Sequence, residues 1–380
     1  MKMKILISSP YFLPNVSGIT YYVDKLAKGL SAKKYKISIL TTQHKKELKK
    51  HEKIGEIEII RLKPVMQIGK GLITPSMIWR GINLVRQNEV IICNLPQIES
   101  AYLAFWAKIF GKKIILIHHT DLSFWSGIKN KIIDSLVFLS QTMAALMAGV
   151  IVPYTDDYAK NSYFLKYFLK KVKSIYPPIK FEVKKYKKKK NKKIIIGFSG
   201  RIAKQKGLEI LIKSCNYLDK ELGKNKYVIK LAGPIQVIGE NYFDYLNKKY
   251  RKRLENNFIF LDNIKREKLD KFYQEIDVLV LPSDDKLESF GWVQIEAMLC
   301  GTPCVATNLP GMRIPVVKTG MGELFEKQNC QDLAQKIVKV VSNKDKYVNK
   351  VNMAKLLEEF DYKKTITAFE KLILLDDHKH

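Results

Sequence analysis

Ile194-Ile195-Ile196-Gly197-Phe198-Ser199 runs directly into Gly200-Arg201-Ile202-Ala203-Lys204-Gln205-Lys206-Gly207, and an apolar-periodic segment follows. The first six residues carry no polar alternation, which suits a parallel strand buried on both faces. The glycine-bounded loop then opens a helix, so strand, loop and helix form half of a βαβ unit. The plan recurs in both directions. Downstream, Tyr227–Ala232, Phe258–Leu261, Asp277–Leu281, Pro303–Thr307 and Glu323–Phe325 are predicted strands with helices between them. Upstream, Lys4–Ser8, Ile37–Thr41, Val90–Asn94, Ile114–His118 and Val150–Pro153 are predicted strands, interleaved with predicted helices at Ile19–Leu30, Ser100–Phe110, Lys129–Ala148 and Asp156–Phe168. The expected class is α/β, with two Rossmann-like, doubly wound parallel-sheet domains.

Pro177-Pro178 interrupts the series, and Lys184–Lys193 then holds eight lysines in ten residues. Such a run also suits nuclear localisation or nucleic-acid binding, but a solvated linker needs only charge and is expected here. The predicted division is an N-terminal domain over 1–178, a basic linker over 179–193, and a C-terminal domain over 194–360. A C-terminal helix in 361–380 is expected to pack back on the first domain. A length of 380 residues accommodates two domains. No heptad or short-period repeat is present.

Hydrophobic residues make up 46% and charged residues 27%, which excludes general disorder. The 67 Lys and Arg outnumber the 37 Asp and Glu, for a net charge of +30, so anionic partners are expected. Much of the excess lies in residues 1–180, with 28 basic against 11 acidic side chains. Five scattered cysteines without a CxxC pair give neither a disulfide framework nor a zinc site, and they fit a reducing cytoplasm. The start of the chain, broken by Pro10 and Pro14, is too short for a signal peptide. Ser135–Thr155 carries no charge and approaches membrane-spanning length. Its Ser140, Gln141, Thr142, Gly149 and Pro153 favour a buried helix ending at Gly149 and a short strand.

In open parallel sheets ligands bind beyond the C-terminal strand ends. With two such domains, a cleft between them is the expected site. The loop after 194–199 places Arg201 and Lys206 at a helix N-terminus, where orphan N–H groups, the helix dipole and the two cations suit phosphate. It is not a Walker A loop. After Asp277–Leu281 comes Pro282-Ser283-Asp284-Asp285-Lys286-Leu287-Glu288-Ser289-Phe290-Gly291-Trp292-Val293-Gln294-Ile295-Glu296. Glu288 precedes a predicted helix and Glu296 lies about one turn inside it. Both carboxylates can accept hydrogen bonds from vicinal sugar hydroxyls. The main chain of Ser289, Phe290 and Gly291 can offer N–H groups to an anion.

Glu288-Ser-Phe-Gly-(x4)-Glu296-Ala-Met, with Gly301-Thr302-Pro303 and Val305-Ala306, closely resembles the E-x7-E region of retaining glycosyltransferases of family 4. Gly200-Arg201…Lys206-Gly207 resembles their diphosphate loop. Leu231-Ala232-Gly233-Pro234 and Asp277–Ser283 are similar to two further landmarks. Pro14-Asn15-Val16-Ser17-Gly18 resembles the glycine-rich loop after the first strand, and His119-Thr120-Asp121 the family's histidine. The resemblance runs from residue 5 to about 325. It implies a GT-B fold whose second domain binds a UDP-, GDP- or ADP-sugar, with no other cofactor.

By position, Arg201, Lys206 and Gly18 would face the diphosphate, Glu288 the donor sugar, and Glu296 the ribose. Ser289, Phe290 and Gly291 would contact sugar and phosphate through their main chain, and Asn263-Ile264 would border the base. His119 would lie beside the anomeric centre, with Glu288 as its catalytic partner; the adjacent His118 leaves open which histidine faces the donor. Three positions depart from the pattern: Ser17-Gly18 replaces a Gly-Gly pair, Asp262 stands where Gly is common, and Leu309–Pro315 lacks an acidic residue.

The implied reaction is retaining hexosyl transfer to a glycan or lipid-linked acceptor, as in polysaccharide or lipopolysaccharide biosynthesis. The basic first half suits a cytoplasmic protein held peripherally at an anionic membrane face, with Trp106, Phe124 and Trp125 as candidate anchors, although core packing is the favoured reading of any one of them. Rival readings are a nucleotide-sugar epimerase on a similar fold and a non-catalytic polyanion binder. The E-x7-E pattern argues against the first. Against the second, and against specific nucleic-acid binding, the basic halves lack an aromatic-interleaved groove signature. His378 and His380 read as a frayed tail. No D-x-D occurs, and two cations are already placed for the leaving group, so no metal is expected. Transfer should therefore persist in excess EDTA. Complete loss, restored by manganese or magnesium, would contradict this expectation.

Overall fold

The computed structural model describes residues 3–15, 17–68, 71–122, 128–186, 192–235, 241–285 and 287–375. Phe124, Trp125, His378, His380, Val16 and the lysines at 187–190 lie outside them. The chain forms two compact units, Met1–Lys180 with Asp361–His380, and Phe181–Phe360.

The first unit contains β1 (Lys4–Ser8), α1 (Gly18–Ala32), β2 (Lys36–Thr42), β3 (His51–Ile54), β4 (Ile57–Leu62), β5 (Met66–Ile68), β6 (Gly71–Ile73), α2 (Ser76–Gln87), β7 (Val90–Leu95), α3 (Ser100–Ile109), β8 (Lys113–His118), α4 (Ile128–Met147), β9 (Val150–Val152) and α5 (Asp156–Asn161). Its main sheet has the order β3-β4-β2-β1-β7-β8-β9. Only β3 runs antiparallel, against β4. β7 is buried at all six positions, as a strand covered on both faces must be.

The second unit contains β10 (Ile194–Ser199), α6 (Leu208–Glu221), β11 (Tyr227–Ala232), α7 (Tyr242–Asn257), β12 (Phe258–Phe260), α8 (Leu269–Glu275), β13 (Val278–Leu281), α9 (Trp292–Leu299), β14 (Cys304–Thr307), α10 (Ile314–Thr319), β15 (Gly322–Phe325), α11 (Cys330–Ser342), α12 (Lys344–Tyr347) and α13 (Lys350–Glu359). Its six strands are all parallel in the order β12-β11-β10-β13-β14-β15. Phe198, Leu211, Ile229, Val280 and Ile337 belong to one continuous core. The last helix, α14 (Tyr362–Leu374), belongs to the first unit and packs on α1: Tyr362 donates to Lys25 O at 2.8 Å and Lys33 pairs with Glu370 at 2.5 Å.

The strand order reverses beside the first strand of each sheet. β1 lies between β2 and β7, and β10 between β11 and β13. Loops leaving neighbouring strands at such points diverge and open a crevice at the C-terminal strand ends. In the second unit those are the loops after β10 and β13.

Beyond α2, β5 and β6, which the sequence did not signal, four features differ from the sequence expectation. β4, with its partner β3, escaped it because Glu58 and Arg61 interrupt the apolar run. Arg61 is nevertheless buried, donating to Glu52 Oε2 at 2.6 Å, Lys49 O at 3.1 Å and Leu13 O at 3.0 Å. The predicted helix at Asp156–Phe168 stops at Asn161 and continues as 3-10 turns. The Asp121 carboxylate draws Ser162 Oγ (2.6 Å) and Tyr163 N (3.2 Å) away from helical geometry, and Ser162 Oγ accepts Leu165 N at 3.0 Å. α4 is not a buried helix: Ile132, Leu136, Leu139, Met143 and Leu146 are exposed along one side. Among the described residues, no helix is long and apolar enough to cross a membrane. Finally, the start of the predicted linker is fastened to α8: Lys184 N donates to Asp270 at 3.0 Å and Tyr186 N to Gln274 at 3.2 Å.

Arg61 ties β4 to the loop that precedes α1, so its loss should be felt beyond the sheet. Arg61→Ala should cost roughly 3 kcal/mol in urea unfolding, because three acceptors lose one buried fork. Lys at this position should restore little, since an ammonium cannot span the same three acceptors. An unchanged unfolding midpoint in Arg61→Ala would refute the assignment.

Candidate functional site

In the second unit the loops after β10 and β11 approach main chain to main chain. Gly233, at φ 148°, passes so close that an added Cβ would lie 2.0 Å from Gly200 O. Gly200 N donates to Ala232 O at 2.9 Å, Ile202 N to Pro234 O at 3.1 Å, and Gly233 N to Asp262 O at 2.8 Å. The loop after β10 likewise closes on the loop after β13. Gly207, left-handed at φ 67°, caps α6, and a Cβ there would lie 1.9 Å from Pro282 O. Both positions demand glycine on two counts, backbone conformation and space.

This lacing brings Lys206 against Glu288, and the ammonium and carboxylate form a direct ion pair. Both are about one-fifth exposed, so a ligand can reach them. Arg201 is exposed on the same loop. Ser289 is buried. The Phe290 ring is wholly buried, edge-on to Phe360 at 5.8 Å, so that side chain is core. Gly291 is the N-cap of α9.

Glu296 is buried and held from two sides. Arg266 Nη2 donates to its Oε1 at 2.5 Å, and the Tyr273 hydroxyl donates to its Oε2 at 3.1 Å. That hydroxyl also lies 3.1 Å from Ser199 Oγ at the end of β10. Burial, with the Glu296 charge beside it, raises the Tyr273 pKa well above the usual phenol value, so the group remains a donor. The Arg266 guanidinium stacks 5.5 Å from the Phe181 ring centroid, which fixes its plane. Asn263, exposed, and Ile264, half-buried, lie two or three residues before Arg266.

Arg266 and Tyr273 were missed from the sequence. An isolated Arg in a basic loop carries no signal, and the Tyr273 side chain reaches Glu296 only because α8 packs beside α9. The one available cue was generic: a tyrosine buried in a helix needs a partner for its hydroxyl.

In the first unit, Ser17 caps α1. Its Oγ accepts Thr20 N at 3.2 Å and its N–H donates to Thr20 Oγ1 at 2.8 Å, a reciprocal capping box. This accounts physically for serine where the family pattern has glycine. Gly18 begins the helix, and a Cβ there would meet nothing within 4 Å.

His119 is buried among hydrogen-bond partners. Asn94 Nδ2 donates to Ser8 O at 2.8 Å, which turns Asn94 Oδ1 toward His119 Nε2 at 2.7 Å. Nε2 therefore carries the proton, and Nδ1 accepts from the Tyr154 hydroxyl. The ring meets Tyr22 edge-on at 4.9 Å. His118 points elsewhere, stacked on Phe164 at 5.4 Å, with its Nε2 3.5 Å from Asp121 Oδ1. Burial pushes both histidines down to about 3, with His118 adding to the effect on His119. Asn94 and Tyr154 were also missed, because an asparagine inside a strand and a tyrosine after one are individually unremarked.

Trp106 is not an exposed anchor. It stacks on Phe110 at 5.6 Å and its Nε1 is buried.

Residues 179–356 match the family model described as glycosyl transferases group 1. Along the whole chain, an uncharacterized glycosyltransferase of Methanocaldococcus jannaschii is 25% identical, with 98% of each chain covered. Anabaena HepE, solved with UDP and glucose, superimposes with a TM-score of 0.74 at 18% identity, covering 98% of this chain and 100% of the other. Sucrose-phosphate synthase from Thermosynechococcus elongatus gives a TM-score of 0.74 at 16% identity over 98% of each. The two parallel-sheet α/β units are thus Rossmann-like, and the solved structures they are similar to are GT-B glycosyltransferases.

The histidine pair makes stability dependent on pH. Each folded pKa is below the unfolded value of 6.5, so the unfolded chain takes up protons first as pH falls. The contribution is intact above about pH 6.5 and lost toward pH 3, at about 1.4 kcal/mol per pH unit for each histidine. His118→Leu should flatten this acid limb relative to wild type in urea unfolding. Parallel limbs in the two proteins would show that His118 does not titrate on unfolding.

Proposed function

We propose that the chain is a retaining glycosyltransferase that moves a sugar from a nucleoside-diphosphate sugar to a glycan or lipid-linked acceptor at the cytoplasmic face of an anionic membrane. The observation that carries this reading is a pair of carboxylates each held by a cation: Glu288, in the loop after β13, pairs with Lys206 of the loop after β10, and Glu296 of α9 pairs with Arg266 of the segment between β12 and α8. Two cations, two hydroxyl-binding carboxylates and helix N-termini at a strand-order reversal match the charge pattern of a sugar diphosphate.

In this reading the diphosphate takes Lys206 from Glu288, with Arg201 as a second cation, and Gly18 is a further candidate phosphate contact. Glu288, so released, accepts hydrogen bonds from sugar hydroxyls. The N–H groups of Ser289, Phe290 and Gly291 serve sugar and phosphate, Glu296 takes the ribose, and the Asn263-Ile264 main chain borders the base. The sugar C1–O bond to the diphosphate breaks and a C1–O bond to the acceptor forms on the same face. The acceptor proton passes to the departing phosphate oxygen. His119 is neutral and acts by position, as an oriented wall beside the sugar. Charge on the leaving group is offset by fixed cations, so metal-independent transfer is proposed.

Calorimetry with UDP, GDP and ADP tests this, alongside transfer assays with their sugars. Glu288→Ala should abolish transfer while binding free nucleoside diphosphate at least as well as wild type, because Lys206 loses its competitor. Glu296→Ala should weaken the nucleotide by about 10- to 100-fold, one charged hydrogen-bond partner being worth about 1.5–3 kcal/mol. Lys206→Ala and Arg201→Ala should each lose a similar factor. Equal nucleotide affinity in both glutamate variants would overturn the division of roles, and an epimerised donor without transfer would overturn the reaction.

A further inference from the structure

The outward side of α4 is the least expected surface of the first unit. Ile132, Leu136, Leu139, Met143 and Leu146 recur at intervals of three and four and are 47–65% exposed. They form a stripe about 21 Å long at 1.5 Å per residue. On one flank α3, packed against α4 through Ser100 and Ser140, adds exposed Phe105 and Ile109. On the other, Tyr167 and Lys166 border a shallow depression shared with Ser135 and Phe138 of α4. The opposite side of α4 is fixed to the unit: Ala144 and Ala145 are in the core, and Lys171 donates to the Ala145, Leu146 and Ala148 carbonyls at 2.8–2.9 Å. The helix is therefore committed on one face and apolar on the other.

The charges around the stripe decide what covers it. Lys108, Lys131, Lys166 and Lys170 are all exposed, whereas Asp134, the one acidic residue of α4, is buried. A second copy docked about a two-fold axis would set lysine rim against lysine rim, with no exposed carboxylate among the described residues of α4 between them. An anionic bilayer surface accepts both parts: aliphatic side chains enter the acyl boundary, lysines extend to phosphate, and a tyrosine lies at the headgroup level.

We propose that α4, flanked by α3 and the 165–171 turns, is the face by which this protein lies on an anionic membrane, with the α4 stripe inserted at the lipid interface. This rests on the membrane-side part of the function proposed above and assigns it to a surface.

Vesicle co-sedimentation of the full chain tests the assignment, using phosphatidylcholine alone and phosphatidylcholine with about one-third phosphatidylglycerol. Wild type should bind the anionic vesicles, lose affinity steeply with salt, and leave neutral vesicles nearly unbound. The triple variant Leu136→Ser, Leu139→Ser, Met143→Ser changes only exposed side chains, so its fold should persist. It should lose about a hundredfold in affinity for anionic vesicles. Lys166→Glu with Lys170→Glu should weaken binding and reduce its salt dependence. Circular dichroism melting and UDP calorimetry should match wild type in both variants.

Wild-type affinity in the folded triple variant would overturn the proposal. So would equal binding to neutral and anionic vesicles, or a wild-type dimer in sedimentation that the triple variant converts to monomer with vesicle binding unchanged. Absence of binding to UDP, GDP and ADP alike in wild type would instead defeat the transfer reading while leaving the vesicle result to stand by itself.

Discussion

Everything in the second unit that bears on chemistry depends on main chain meeting main chain at the strand ends. Gly233 packs against the Gly200 carbonyl and Gly207 against the Pro282 carbonyl, at separations that leave no room for a Cβ. Parallel strands impose this constraint. Each β10–β13 neighbour sends its loop out of the same edge of the sheet, and a strand-order reversal makes two loops part around a crevice. The crevice is narrow only if the loops stay close to the sheet. Glycine allows that, and the reward is positional: Lys206 and Glu288, 82 residues apart in sequence, come into contact.

The two ion pairs that result differ in kind. Lys206 and Glu288 are both partly exposed, so water screens their attraction and a ligand can exchange for either partner. Glu296 is buried, and its carboxylate is satisfied by Arg266 and Tyr273 together. Removing either donor would leave charge in a poorly solvated place, which is expensive. The first pair is therefore suited to being opened at each binding event, the second to holding one carboxylate in one orientation. Phe181 strengthens that difference by stacking under the Arg266 plane. One exchangeable and one fixed carboxylate follow from this difference in burial.

Much of this was legible in the sequence. Continuous apolar runs located eleven strands because parallel strands buried on both faces leave little alternation to misread. Glu288 and Glu296 were visible because helix geometry relates them to one end of one element. What escaped was whatever depended on a distant partner. β4 was hidden by Arg61, whose charge reads as surface until Glu52 and two carbonyls are seen to enclose it. The Asp156–Phe168 helix was overextended because the competing acceptor, Asp121, lies 41 residues earlier than Ser162. Arg266, Tyr273, Asn94 and Tyr154 were invisible for the same reason. α4 was misjudged differently: an uncharged helix was equated with a buried one, although absence of charge says nothing about which face is covered.

The two candidate histidines complete the contrast between the units. In the second unit, Lys206 and Glu288 are charged and partly exposed. In the first, His119 is neutral, enclosed, and fixed in one tautomer by the chain from Ser8 through Asn94. A group so placed is a poor proton carrier, since burial disfavours its charged form. Its value is rigidity: the Asn94, Tyr154 and Tyr22 contacts leave the ring one orientation. If the departing diphosphate accepts the acceptor's proton, no residue of the first unit is required to titrate during transfer. A neutral, immobile histidine is then the consistent choice, and burial that would disable a general base costs this reaction nothing.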